Sequence, residues 1–192
     1  ALDRQMCQQH TCAFSPMAEV GASKRCCAGD KDSSSWDEFL HTHPEGRFTD
    51  WLHQAADVEW AAVVGHPFTD QLADATLDKA AMRRYLIQDH RFLDAFVVLV
   101  ASAVARMRCL EDRVQGCQFL ALLTGRENTY FERSFAALGV SAADRASVSD
   151  EEETTRFITL MRALAASGNL AQMLAVLVGT EWSYLSWGER VL

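Results

Sequence analysis

Tyr85-Leu-Ile-Gln-Asp89-His-Arg-Phe-Leu-Asp-Ala-Phe-Val97-Val-Leu-Val100 is the stretch that decides the fold. Taken alone, residues 97–100 read as a buried β-strand. Their flanks carry no turn signals, however, and Asp89, Phe92, Leu93 and Phe96 recur at i, i+3, i+4 and i+7. That spacing predicts one long helix. Thr76-Leu-Asp-Lys-Ala supplies an N-cap and an opening, and the helix is expected to run to about Met107.

The same period extends in both directions. Upstream, Phe48, Leu52, Ala55, Ala56, Val58, Trp60 and Val63 predict a helix that stops at Gly65, with His66-Pro67 opening the next. Downstream, a helix is expected from about Glu111 to Ala137, stopping at Gly139. Ser149-Asp-Glu-Glu152 matches a capping box for a helix ending near Ser167-Gly168, and a last helix starts at about Asn169. The three prolines, at 16, 44 and 67, fall outside all the long helices, and no alternating strand or internal repeat stands out. The expected class is all-α, packed as a bundle.

Residues 1–46 read differently and predict an irregular polar extension ahead of a helical domain over 47–192. Gly29-Asp-Lys-Asp-Ser-Ser-Ser35 reads as loop and His43-Pro44-Glu-Gly46 as a turn, with a short helix near residues 36–40. Four of the six cysteines lie in the first 27 residues. Cys7, His10, Cys12, Cys26 and Cys27 match no standard zinc-ligand spacing, so they are read as an incidental tail. Cys109 and Cys117 fall in helical sequence.

At 49% hydrophobic and 23% charged over 192 residues, the chain has enough apolar content for one real core without disulfides. Its net charge of −8 repels phosphate backbones, which excludes nucleic acid as an expected partner. No apolar run reaches the roughly 20 residues that span a bilayer. The first residues lack the apolar core of a signal peptide, so a cytoplasmic location is expected, with no membrane partner.

Two acids sit where apolar residues flank them on both sides: Asp89, and Glu181 in Met173-Leu-Ala-Val-Leu-Val-Gly-Thr-Glu181-Trp-Ser-Tyr-Leu-Ser-Trp187. Such a carboxylate faces solvent, pairs, or occupies a pocket with a shifted pKa. Glu181 and Tyr184 are spaced i, i+3, Thr180 and Tyr184 i, i+4, and Glu127 and Phe131 i, i+4. With all three faces inward, the bundle holds Asp89, Glu127 and Glu181 among Phe92, Phe157, Trp182 and Tyr184. Such a pocket suits a flat, nitrogen-rich heterocycle, on which rings stack and from which acids accept hydrogen bonds.

The competing reading is that acids on helices face water and aromatics at helical spacing form core. By pattern alone, Glu127 in Gly125-Arg-Glu-Asn-Thr is no more than a surface acid, and Asp94 belongs on the outer face. His66, before Pro67, reads as a cap or a packed histidine. The helices are read as containing no Glu-x-x-His pair, and the chain has no glycine-rich phosphate loop and no nucleophile elbow. No metal or cofactor is expected.

His66-Pro67-Phe68, then Ala75-Thr-Leu77, then Tyr85-Leu-Ile-Gln-Asp89-x-x-Phe-Leu93 stand in the order seen in the TenA (thiaminase II) family. Ser167-Gly-Asn169 and Glu181-Trp-x-Tyr184-x-x-x-Gly188-Glu189 continue the resemblance, which covers about residues 48–192. It implies an all-helical, haem-oxygenase-like fold and hydrolysis of thiamin, or of aminopyrimidines derived from it, to hydroxymethylpyrimidine. By position, Asp89 matches the aspartate that binds the pyrimidine amino group and ring nitrogen, and Tyr184 matches an active-site tyrosine. Phe92 and Phe157 fall where members often carry Tyr.

Many members have a nucleophilic Cys at the position of Thr180. With Glu181 next to it, the chain resembles the branch that replaces that Cys by Glu, associated with salvage of aminopyrimidine or formylaminopyrimidine rather than cleavage of thiamin. A Cys would form a covalent adduct with the ring. A Glu in an apolar pocket instead shuttles protons.

The resemblance also implies closing helices with another catalytic Glu, for which no counterpart precedes Leu192. Either the sequence is a fragment, or the protein is shortened and completes its bundle otherwise; a bundle lacking those helices is expected to expose an apolar face and to associate as a homo-oligomer. Two further functions compete on the same scaffold: a non-catalytic aminopyrimidine-binding or regulatory protein, and a cofactor-free oxidase related to pyrroloquinoline quinone synthesis.

Overall fold

A computed structural model describes residues 35–191. The cysteine-rich segment around Cys7, His10, Cys12, Cys26 and Cys27 lies outside the described residues. Those described are helical throughout, with no strand among them: α1 Trp36–Thr42, α2 Phe48–Ala55, α3 Asp57–Val64, α4 Pro67–Ala73, α5 Lys79–Arg106, α6 Leu110–Leu122, α7 Asn128–Leu138, α8 Ala142–Ser147, α9 Glu152–Ser167 and α10 Leu170–Val191. A π-helical turn, Leu123–Glu127, joins α6 to α7. The fold class is the expected one. Among the described residues no helix is long and apolar enough to cross a membrane.

The 28-residue α5 is the axis of the bundle. It extends about 42 Å at 1.5 Å per residue. Leu86, Leu93, Phe96, Leu99, Val100 and Ala103 form its buried face, closed by Met161 of α9 and Met173 of α10. Its widest contact is with α9, and α6, α7 and α10 complete the ring. A second, smaller apolar cluster gathers Leu72 and Trp187 with Phe68, Tyr85, Tyr130 and Tyr184.

Helix ends differ from expectation where tertiary groups outbid local ones. The single helix expected over residues 48–63 breaks at Ala56 into α2 and α3. A straight helix would hold residues 53 and 60 about 10 Å apart along its axis. The break brings the rings of His53 and Trp60 to 4.4 Å, and both pack on Trp182 of α10.

Within the expected opening Thr76-Leu-Asp-Lys-Ala, the N-cap of α5 is Asp78. Its carboxylate accepts from the backbone N–H of Ala80 and Ala81, and Asp outranks Thr as a cap. The capping box expected at Ser149 does not form; α9 begins after Glu151 with no side-chain cap. The long helix supplies the partners instead. The Gln88 amide bonds the Ser149 carbonyl and the Glu151 N–H, Arg84 pairs with Glu151 at 2.7 Å, and Arg91 pairs with Asp150 at 2.5 Å.

Other expectations hold. The short helix near residues 36–40 is α1, and the Gly46 N–H bonds the His43 carbonyl in the following turn. His66 caps α4, its Nδ1 accepting from the Phe68 N–H. Gly139 ends α7 at φ 64°, in the left-handed region open to glycine. Asp94 is exposed, 3.6 Å from Arg162.

A candidate active site at the second apolar cluster

The organising contact is a hydrogen bond from the Tyr184 hydroxyl to the Asp89 carboxylate at 2.6 Å, joining α10 to α5. Each helix brings its polar residue in on an otherwise apolar face. Asp89 lies one turn past Tyr85 and one turn before Phe92 on α5. Tyr184 lies one turn past Glu181 on α10, and its ring packs 5.7 Å from Trp187. Phe92 stacks on Phe157 of α9 at 5.3 Å and on Phe96 at 5.0 Å, a flat apolar wall beside Asp89.

The electrostatics follow from burial. Removal from water raises the Asp89 pKa, while the nearby hydroxyls of Tyr184 and Tyr85 and the charge of His90 act in the opposite direction. Glu181 is pushed to about 7, first by burial and then by the Asp89 charge. Glu127 is pushed to about 8 by burial and by the charges of Glu181 and Asp89. Asp89, Glu127 and Glu181 are thus near enough to repel one another, and they arrive from α5, the π turn and α10. The phenols of Tyr85 and Tyr184 are held well above their ordinary range, because burial beside Asp89 disfavours a second anion.

The structure separates the remaining expected residues. Thr180 is buried, and its hydroxyl donates to the Val176 carbonyl at 2.6 Å, within its own helix. Its proton is committed to the backbone, so it offers no activated nucleophile. Trp182 is not brought to the Asp89–Tyr184 pair by any ring contact; it packs with His53 and Trp60. Cys109 and Cys117 are exposed, whereas Thr180 is buried. A Glu-x-x-His spacing does occur on α1, Glu38 to His41, but Glu38 is occupied in a capping box with Ser35. Among the described residues, no group of three or more His, Cys, Asp or Glu is placed to hold a metal ion.

Three features escaped the sequence reading. Tyr85 lies beside Asp89, with its buried hydroxyl close to the Asp89 carboxylate and the Tyr184 hydroxyl. Its i, i+4 spacing to Asp89 was the available signal. Tyr130 joins the same cluster, three residues after Glu127. The π turn that carries Glu127 had no sequence signature beyond Gly125.

Relatives bear on what this geometry is for. The chain is 23% identical over 140 residues to an aminopyrimidine aminohydrolase of Halalkalibacterium halodurans, a match covering 73% of this chain. It is 26% identical over 152 residues to the enzyme of that name from Bacillus subtilis, covering 76% of this chain. It spans 62% of the length of each of these relatives. The TenA homologue protein from P. horikoshii OT3 superposes with a TM-score of 0.60 at 18% identity, over 74% of this chain and 76% of that one, and so shares the fold. The sequence model of the TENA/THI-4/PQQC family matches residues 53–192, the stretch that contains every residue of the site, and the chain belongs to that family.

Proposed function

We propose that the protein is a hydrolase of aminopyrimidines, acting in salvage of thiamin breakdown products and releasing hydroxymethylpyrimidine. The observation that carries this reading is the Tyr184–Asp89 hydrogen bond with Glu181 one turn away. Asp89, oriented by Tyr184, accepts hydrogen bonds from the ring amino group and a protonated ring nitrogen. Phe92 and Phe157 supply the wall against which the ring lies, with Tyr184 at its edge. The names of the similar aminohydrolases support the substrate class.

In the reaction, the methylene carbon of the aminomethyl substituent exchanges its C–N bond for a C–O bond from water, giving the hydroxymethyl alcohol and ammonia, while the ring amino group is kept. Glu181 takes the proton of the attacking water. Near pH 7 it is poised to do so, with its pKa raised to about 7. No thiol is required, and Thr180 does not replace one.

The test pairs binding with turnover. Asp89→Asn is expected to weaken aminopyrimidine binding in calorimetry by tenfold or more, the usual scale for a charged hydrogen bond. Glu181→Gln is expected to bind normally and to lose turnover by about 100-fold or more. Unchanged turnover in Glu181→Gln would sink the mechanism. Binding without turnover in the wild type would favour the non-catalytic reading.

A further inference from the structure

We propose that Glu127 is the proton donor to the departing amine, placed for that role by the π-helical turn that carries it. The inference rests on the hydrolase reading above and assigns the half of the acid–base work that Glu181 does not perform.

Helices α6 and α7 would otherwise be one continuous helix from Leu110 to Leu138. The π turn Leu123–Glu127 interrupts it. One extra residue in a turn rotates everything beyond it by about 100°, and π turns are rare and recur at functional sites. Leu123 anchors this one in the core, while a Cβ at Gly125 would meet no atom within 4 Å. Its last residue, Glu127, is half-buried. Among the described residues, Glu127 has neither a hydrogen-bond nor an ion-pair partner. Its neighbour Arg126 is exposed.

The groups that act on it are anions, Asp89 from α5 and Glu181 from α10. Tyr85, Tyr184 and Tyr130, which lies three residues beyond Glu127 on α7, gather in the apolar cluster alongside. His90 of α5 meets the side chain of Asn128, the residue after Glu127, at 3.2 Å. The buried hydroxyl of Tyr85 lies beside Asp89 in the same cluster.

The three carboxyls then divide the work. Asp89 has a phenol donor and stays with the ring. Glu181 and Glu127 lack donors and repel one another, so one keeps a proton when the other ionises. Burial and like charge raise both carboxyls, and Glu127 faces two others, Glu181 and Asp89, where Glu181 faces Asp89. The more crowded carboxyl keeps the proton, so Glu127 is the acid and Glu181 the base. As the water oxygen bonds the exocyclic carbon, its proton passes to Glu181. As the C–N bond breaks, the Glu127 proton goes to the nitrogen, and ammonia leaves. The proton on Glu181 then returns to Glu127, and the cycle closes.

The experiment compares two leaving groups. One probe is 4-amino-5-aminomethyl-2-methylpyrimidine, whose amine needs a proton to depart. The other carries pyridinium in place of that amine and departs without one. Glu127→Gln is expected to lose about 100-fold or more in kcat on the amine, together with the fall in rate above pH about 8. On the pyridinium probe it should lose less than about fivefold, a split that a merely structural role would not produce. Glu127→Asp, which keeps the carboxyl, should recover part of the amine activity. Equal loss on both probes, or unchanged amine turnover in Glu127→Gln, overturns the role of Glu127 while leaving the hydrolase reading intact. A wild-type protein that releases no ammonia overturns both.

Discussion

At the scale of single residues, the site is an exercise in keeping charge where water is scarce. Tyr184 and Asp89 are 95 residues apart in sequence and 2.6 Å apart in space. A bond from a neutral donor to a buried carboxylate contributes about 1.5–3 kcal/mol, so Tyr184→Phe should weaken aminopyrimidine binding by roughly tenfold or more in calorimetry. Glu127 makes the opposite demand. Its folded pKa of about 8 lies above its ordinary 4.5, so the folded state holds a proton that the unfolded state has already lost. Stability then falls as pH rises from about 4.5 to about 8 and stays low above it. Glu127→Gln should therefore raise Tm by several degrees at pH 9 and change it little at pH 4, by scanning calorimetry. Asp89 and Glu181 were legible in the sequence because an acid inside an apolar helix has few explanations. The partners of Trp182 were not legible because a helical aromatic can face either neighbour, and here the break at Ala56 brings His53 and Trp60 to meet it.

At the scale of elements, the helices follow their apolar periods, while their ends follow their neighbours. Arg84, Gln88 and Arg91 of α5 hold the start of α9 and displaced the capping box that Ser149 promised. Similarly, the Arg83 guanidinium bonds the Leu138 and Gly139 carbonyls at the end of α7. Such long-range partners are invisible in a local pattern. The contact of α6 with α5 depends on Gly116, where an added Cβ would stand 2.4 Å from a Val104 methyl. Gly116→Ala should destabilise by about 1–3 kcal/mol, the usual result of overpacking, seen as a lower urea midpoint. Ala75 sits at φ 55° after α4. Ala75→Gly relieves a left-handed alanine but loosens the unfolded chain, leaving a net gain of at most about 1 kcal/mol.

For the whole molecule, the all-helical bundle was readable because long apolar periods, few prolines and glycine stops agreed with one another. The surface carries an apolar stripe. Leu110, Val114, Cys117 and Ala121 lie exposed along α6 at heptad spacing, with Leu110 73% and Val114 45% accessible. We propose that a second copy of the chain covers this stripe, as a seam of that spacing packs helix on helix. Sedimentation velocity should find an oligomer that Leu110→Glu with Val114→Glu dissociates. The central claim, however, concerns chemistry at Asp89, Glu127 and Glu181. Its most direct test is turnover of 4-amino-5-aminomethyl-2-methylpyrimidine in ¹⁸O-enriched water, read by mass spectrometry alongside ammonia release. Hydrolysis predicts one ¹⁸O in the hydroxymethyl product for each ammonia, and neither in Glu181→Gln. A wild-type protein that binds the pyrimidine yet yields no labelled alcohol would contradict the account.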